Sequence, residues 1–158
     1  MSMLSILVVE DDEGVQSLLR RILTQEGHDV TVVGSGHEAI RVAQEIPVHV
    51  LLTDVQLPDV VGLIVFERIR QFDPKVLGIV MTGHGSIDGA VKAMKLGALD
   101  FITKPFDIGS VTAVVQKAAE IHRRSQDSSG ARKSLRAPYR AERLVGTSEP
   151  IRRVLDFV

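Results

Sequence analysis

The chain has 158 residues, of which 44% are hydrophobic and 25% are charged, a composition typical of a globular protein and not of a disordered or fibrous one. It contains no cysteine, which excludes a disulfide framework and a thiolate metal site and suits a reducing compartment. Residues 1–119 carry 10 Lys and Arg against 15 Asp and Glu, whereas residues 120–158 carry 9 against 5. The net negative charge of residues 1–119 disfavours binding to nucleic acid, and we expect the basic residues 120–158 to be a solvated linker.

The first residues predict a strand and not a targeting segment. The opening "MSMLSILVVE" lacks the basic start of a secretory signal, and its apolar run stops at Glu10, too early for a membrane span. We therefore expect a cytoplasmic protein with no membrane contact.

Five short runs rich in Val, Ile and Leu predict strands at residues 4–9, 29–33, 48–53, 76–81 and 99–103. Segments with helical spacing separate and follow them, as in Ile87, Ala90, Val91 and Met94, which gives five helices. Because several strands are apolar without polar alternation, we expect helices on both faces of a mostly parallel sheet. The prediction is a doubly wound α/β domain ending near residue 124.

The remaining residues predict a linker and the start of another element. Residues 125–142 combine Ser, Gly, Pro and charge with little to bury, which is typical of a linker. Residues 143–158 turn apolar again, and Thr147 or Ser148 could cap a helix there.

Polar side chains follow four of the predicted strands. They are Glu10, Asp11 and Asp12 after the first, Asp54 after the third, Thr82 after the fourth and Lys104 after the fifth. In a doubly wound sheet, ligands bind outside the carboxyl ends of the strands, so we expect these side chains to converge at one edge.

These residue types predict phosphoryl chemistry on a metal site. The acids after the first strand could by themselves be a solvated helix start, but carboxylates clustered with Asp54 repel one another unless a cation intervenes. These side chains provide only oxygen ligands, which favour a hard divalent cation such as Mg²⁺ over softer metals. A metal, the ammonium of Lys104 and the hydroxyl of Thr82 would suit a phosphoryl group accepted by Asp54 as nucleophile.

With these residues in hand, the chain resembles the receiver domain of bacterial two-component response regulators over about residues 4–124. The motifs that carry the resemblance are "ILVVEDDE", "DVQLPDVVG" with its Asp-x-x-x-Pro-x-x-x-Gly spacing, "MTGHGS" and "DFITKPF". It implies a flavodoxin-like (βα)5 fold with a parallel five-stranded sheet in the order 2-1-3-4-5.

By this resemblance, Asp54 accepts a phosphoryl group from a sensor histidine kinase. The resemblance implies that Mg²⁺, or alternatively Mn²⁺, is held by Asp11, Asp54 and the backbone carbonyl of Gln56, with Glu10 acting through water. It leaves open whether Asp12 shares the pocket.

The resemblance also implies a conformational switch. Thr82 would close on the phosphoryl group, Lys104 would pair with it, and Phe101 would turn inward in concert. The Lys104–Pro105 peptide would be cis. We expect Phe66, Phe72 and Phe106 to be core residues, and Phe101 to be either core or switch.

Residues 82–106 resemble in particular the nitrogen-regulatory class, which activates sigma-54 RNA polymerase, and "RLVGTSEPIRRVL" is similar to the opening of the AAA+ domain of that class. The resemblance divides the chain into a receiver domain (1–124), a linker (125–142) and the start of a truncated AAA+ domain (143–158). It implies a homodimer through the fourth helix, fifth strand and fifth helix, and DNA and sigma-54 polymerase as partners of the full-length protein.

We expect Ala90, Val91, Met94 and Ala98 on the exposed dimer face. This chain lacks a phosphate loop and a helix-turn-helix. We therefore expect it to have no catalytic activity other than Mg²⁺-dependent self-phosphotransfer, and not to bind nucleic acid directly. The loop "DVVG" departs from the family in its two valines.

Two other functions compete with this one. A pseudo-receiver would keep the fold as an interaction module without phosphorylation, which the presence of Asp11, Asp54, Thr82 and Lys104 together argues against. A nucleotide-binding flavodoxin-like domain could use Gly83, Gly85 and Gly89, but their spacing departs from the dinucleotide fingerprint and neighbouring carboxylates would repel a pyrophosphate.

Overall fold

The computed structural model describes residues 3–83 and 87–136. The chain divides into two compact units, Met1–Glu120 and Ile121–Val158. In the second unit the described residues, 121–136, are helical. Residues 125–136 of the expected linker are therefore helix, whereas residues 137–142 and the expected AAA+ start at 143–158 lie outside the described residues.

The first unit alternates strands and helices. The elements are β1 (Ser5–Val9), α1 (Glu13–Gln25), β2 (Asp29–Val33), α2 (Gly36–Glu45), β3 (Val50–Asp54), α3 (Gly62–Phe72), β4 (Leu77–Thr82), α4 (Ile87–Lys95), β5 (Asp100–Thr103) and α5 (Ile108–Arg136), whose residues after Glu120 belong to the second unit. Every strand pair is parallel, and the order is β2-β1-β3-β4-β5. The predicted fold class and strand order are confirmed.

Each face of the sheet is covered by a separate apolar cluster. Side chains alternate along a strand, so Ile6 and Val8 of β1 enter the cluster under α1 and α5, whereas Leu7 and Val9 enter the cluster under α2, α3 and α4. All five residues of β3 are buried, because this central strand is covered on both sides. Within the described residues, no helix has both the length and the apolar character needed to cross a membrane.

Two expectations about burial were wrong. Phe72 is 42% exposed, because it is the last residue of α3 and lies beyond the buried part of that helix, which ends at Ile69. Ala90 of α4 and Ala98, three residues after that helix, are both buried. The exposed apolar residues of α4 are instead the larger Val91 and Met94, which lie beside exposed lysines.

Helix α3 is tied to its neighbours by Arg70. The guanidinium Nη1 donates to the carbonyl of Leu96, just beyond α4, at 2.7 Å, where cations complement the helix dipole. The guanidinium carbon also lies 5.3 Å from the centre of the Phe66 ring. Phe66 in turn covers Gly78 of β4, where a Cβ atom would lie 2.3 Å from the ring.

Helix α3 begins without a side-chain cap. Val61 occupies the N-cap with an extended backbone, makes no capping hydrogen bond and is 48% exposed. A serine hydroxyl at this position could accept a hydrogen bond from a free amide of the first turn. We therefore expect Val61→Ser to be about 1 kcal/mol more stable than Val61→Ala, which removes the same apolar surface without adding an acceptor. Urea unfolding of the two variants measures the difference, and equal stabilities would show that residue 61 cannot cap α3.

Candidate functional site

Three acidic side chains meet at the carboxyl edge of the sheet. Glu10 and Asp11 directly follow β1, and Asp54 is the last residue of the adjacent β3. One carboxylate oxygen from each lies within 4.8 Å of the others. Parallel strands place their carboxyl ends together. Glu10 and Asp54, which are 44 positions apart in sequence, therefore meet because β1 and β3 are neighbours in the sheet.

Lys104 bridges two of these carboxylates. Its Nζ atom lies 2.6 Å from Glu10 Oε1 and 2.6 Å from Asp54 Oδ2. The Lys104 backbone N–H donates to the carbonyl of Thr82 at 2.7 Å, which attaches the loop after β5 to the end of β4. The expected cis Lys104–Pro105 peptide is present.

The charges at this edge perturb one another. Burial raises the pKa of Glu10, and the hydrogen bond from Lys104 only partly offsets that increase. Burial alone would lower the pKa of Lys104, but its hydrogen bonds and charge interactions with Asp54 and Glu10 reverse the direction and raise it. Lys104 is therefore held as an ammonium at neutral pH.

The acidic cluster fits a hard divalent cation. Three carboxylates against one ammonium leave an excess of two negative charges when the acids are ionised. The three side chains offer oxygen ligands alone, which Mg²⁺ prefers over the nitrogen and sulfur ligands of softer metals.

The loop after Asp54 is short and closed. Its first residue, Val55, donates to the carbonyl of Met81 at 3.0 Å, and Gly62 donates to the carbonyl of Val55 at 2.7 Å. A Cβ atom on Gly62 would lie 1.9 Å from the carbonyl oxygen of Asp54, so the closure needs a glycine. Gln56, expected from the resemblance as a carbonyl ligand, donates its N–H to Asp54 Oδ1 at 3.0 Å.

Three other residues predicted for the site lie outside the cluster of Glu10, Asp11 and Asp54. Thr82 is buried at the end of β4, the strand next to β3. Phe101 lies on β5 with its ring partly exposed. Asp12 is the N-cap of α1, where its carboxylate accepts from the N–H of Val15 at 3.0 Å, and it is outside the three-carboxylate cluster.

Two polar residues near the site were not singled out from the sequence. Gln16 on α1 donates from its side-chain amide to the carbonyl of Glu10, and Asp59 in the loop after β3 accepts from two backbone amides at the start of α2. No sequence motif indicates either residue, because each one hydrogen-bonds to backbone groups of another segment and backbone groups leave no mark in the sequence. Gly85, one of the three glycines considered above for a nucleotide-binding site, lies outside the described residues.

Known proteins resemble this chain in sequence and in fold. Residues 6–116 match the family described as the response regulator receiver domain. The DNA-binding transcriptional regulator NtrC of Klebsiella pneumoniae is 35% identical over 119 residues, which are 75% of this chain and 25% of that protein. A putative NtrX-like response regulator of Rickettsia bellii is 32% identical over 123 residues, which are 77% of this chain and 26% of that protein.

A solved structure gives the same fold. The solution structure of the beryllofluoride-activated NtrC4 receiver domain dimer matches with a TM-score of 0.70 at 37% identity, over 73% of this chain and 96% of that one. This chain spans about a quarter of the length of the curated relatives named above. The match to residues 6–116, the strand order and the acidic edge with its lysine agree, and the chain belongs to the response regulator receiver domain family, with relatives among the NtrC and NtrX-like regulators.

Proposed function

We propose that the chain is a phosphorylation-controlled receiver in which Asp54 accepts a phosphoryl group from a sensor histidine kinase. The observation that carries this proposal is the position of the Lys104 ammonium, 2.6 Å from both Asp54 and Glu10, beside the Glu10, Asp11 and Asp54 cluster. The family supports a phosphoacceptor role in two-component signalling.

In the proposed step, a carboxylate oxygen of Asp54 attacks the phosphorus of a phosphohistidine. An O–P bond forms, the P–N bond breaks, and the imidazole leaves with the electron pair of that bond. Lys104 is placed to pair with the phosphoryl oxygens. Asp11, Asp54, the carbonyl of Gln56 and Glu10 through water would hold Mg²⁺, which when bound supplies positive charge for the carboxylates and the phosphoryl group.

Acetyl phosphate replaces the unidentified kinase in a direct test. The protein is incubated with acetyl phosphate and Mg²⁺, and mass spectrometry locates the adduct. We expect one phosphoryl group, on Asp54. Absence of any adduct would favour the pseudo-receiver function, and an adduct on another residue would contradict the assignment of Asp54.

We further propose that phosphorylation switches homodimerisation through the surface formed by α4, β5 and the receiver part of α5. Val91, Met94 and Phe101 are exposed apolar residues on this surface. The phosphoryl contacts to Lys104 and Thr82 would exist only in the modified state and would bias a pre-existing equilibrium. The NtrC4 receiver is described as a dimer in its beryllofluoride-activated form, which supports this part of the proposal.

Sedimentation with and without beryllofluoride and Mg²⁺ tests the switch. We expect a higher dimer affinity in the activated state, and Met94→Glu should abolish the increase. Ile64→Glu is the matched control, because Ile64 is an exposed apolar residue on α3. Equal affinities in both states would contradict the switch.

For the whole protein we propose a sigma-54-dependent transcription activator that acts on DNA through segments other than the receiver. The similarity to NtrC, whose name describes a DNA-binding transcriptional regulator, supports this class.

A further inference from the structure

We propose that Asp59 is a positioning residue for Mg²⁺ binding and phosphotransfer, which holds the loop after β3 against the start of α2 and so fixes Asp54 and the backbone of Gln56. This inference rests on the proposed function. It assigns a role to a carboxylate that lies outside the acidic cluster and that shares neither its metal nor its lysine.

The Asp59 carboxylate is bound at the tip of the loop by three groups of α2. Its Oδ1 accepts from the N–H of Gly36 at 2.9 Å, and its Oδ2 accepts from the N–H of His37 at 2.9 Å. The Nδ1 atom of His37 lies 2.7 Å from the same Oδ2. The hydrogen bonds from His37 and Gly36 lower the pKa of Asp59, so it stays a carboxylate.

The start of α2 is divided between two acceptors. Ser35, the N-cap, accepts through its hydroxyl from the N–H of Glu38 at 3.2 Å. The amides of Gly36 and His37 precede Glu38, and Asp59 binds both of them. The helix N-terminus thus has a local cap for one amide and a carboxylate from the loop for the other two.

An apolar contact reinforces the polar one. A Cβ atom on Gly36 would lie 2.1 Å from Cγ1 of Val60, so the glycine lets Val60 lie directly against the first turn of α2. Val60 also packs against the cluster under α2, α3 and α4. One of the two valines that depart from the family pattern therefore has a local use.

The contact acts on the site because the loop is short. Val55 and Gly62 close its base, and Gln56 donates to Asp54 Oδ1 only three residues before Asp59. With its tip bound to α2, the segment from Gln56 to Asp59 is held at both ends. Loss of the Asp59 hydrogen bonds would leave only the Val60 contact at the tip, and we expect this to spread the positions of the Gln56 carbonyl and the Asp54 carboxylate.

The test is a titration of the metal-free protein with Mg²⁺, followed by NMR through backbone amide shifts near Asp54. We expect Asp59→Ala to raise the half-saturating Mg²⁺ concentration by about 10-fold, the scale on which outer partners of metal ligands act. Asp59→Asn keeps one acceptor oxygen, so its value should fall between those of Asp59→Ala and the wild type. With acetyl phosphate, the Mg²⁺ concentration that gives half of the maximal phosphorylation rate should rise by a similar factor.

Ser35→Ala is the matched control, because it removes a cap from the same helix terminus without touching the loop. It should lower stability and leave the half-saturating Mg²⁺ concentration unchanged. Wild-type Mg²⁺ affinity in both Asp59 variants would overturn the inference, as would an equal loss of affinity in Ser35→Ala. Failure of the proposed function is distinguishable, because the wild-type protein itself would then bind no Mg²⁺ and take up no phosphoryl group.

Discussion

Replacement of Lys104 by methionine is expected to cost about 3 kcal/mol of unfolding free energy at neutral pH in metal-free buffer. Glu10 is 1% exposed and its carboxylate lies 2.6 Å from Lys104 Nζ, so the variant leaves a buried charge without its partner. We expect a destabilisation at the lower end of the range observed when one partner of a buried ion pair is removed, because the Lys104 side chain is 25% exposed and water can reach it.

The loss should depend on pH in a defined direction. The pKa of Glu10 is already raised above its ordinary value of 4.5 by burial, and the variant removes the hydrogen bond from Lys104 that lowers it. The folded variant then holds a proton on Glu10 at a pH where the unfolded chain has released it. The loss of unfolding free energy in Lys104→Met is therefore small below pH 4.5 and grows as the pH rises through the pKa of Glu10 in the folded variant.

Lys117→Met is the control for the loss of a lysine. Lys117 pairs with Asp100 at 3.4 Å on an exposed surface, and such pairs contribute at most about 1 kcal/mol. Urea unfolding across pH compares the two variants. If Lys104→Met were as stable as Lys117→Met at neutral pH, the bridge between Glu10 and Asp54 would not be a stabilising contact.

Asp54→Asn is expected to take up no phosphoryl group from acetyl phosphate, while keeping its fold. Asparagine keeps the size of the side chain and lacks the carboxylate oxygen that attacks phosphorus. The fold should survive although the ion pair between Asp54 and Lys104 is lost, because Lys104 keeps its contact with Glu10 and the repulsion between the Asp54 and Glu10 charges is removed. Mass spectrometry after incubation with acetyl phosphate and Mg²⁺ measures the uptake.

The same substitution at Asp29 provides the comparison. Asp29 is an exposed residue that begins β2, at the opposite edge of the sheet from Asp54. Asp29→Asn should take up as much phosphoryl group as the wild type. Uptake that persists in Asp54→Asn would identify a different acceptor.

The sheet was predictable because it depends on strong local signals. The run that ends at Val9 and the run that ends beside Asp54 are rich in Val, Ile and Leu, and the structure places their strands next to each other in the core. The meeting of Glu10, Asp11 and Asp54 then follows from parallel strands that end at one edge.

Contacts between non-neighbouring segments were not predictable in this way. The stripe Ile87, Ala90, Val91 and Met94 indicates a helix, but it does not say that Ala90 is buried whereas Val91 and Met94 are exposed. The partners of Asp59 lie 22 and 23 residues earlier in the chain, and no spacing rule relates a loop carboxylate to the amides of a distant helix. Helix α5 continued to Arg136 although Ser and Gly had suggested an irregular segment.

The double contact of Arg70 makes position 70 sensitive to the shape of its cation as well as to its charge. One side chain both lies over the Phe66 ring and donates to the Leu96 carbonyl, which requires a flat group with several donors. A lysine there would preserve the electrostatic attraction to the end of α4 and forfeit the stacking, so an exchange that looks conservative in sequence would loosen the packing between two helices.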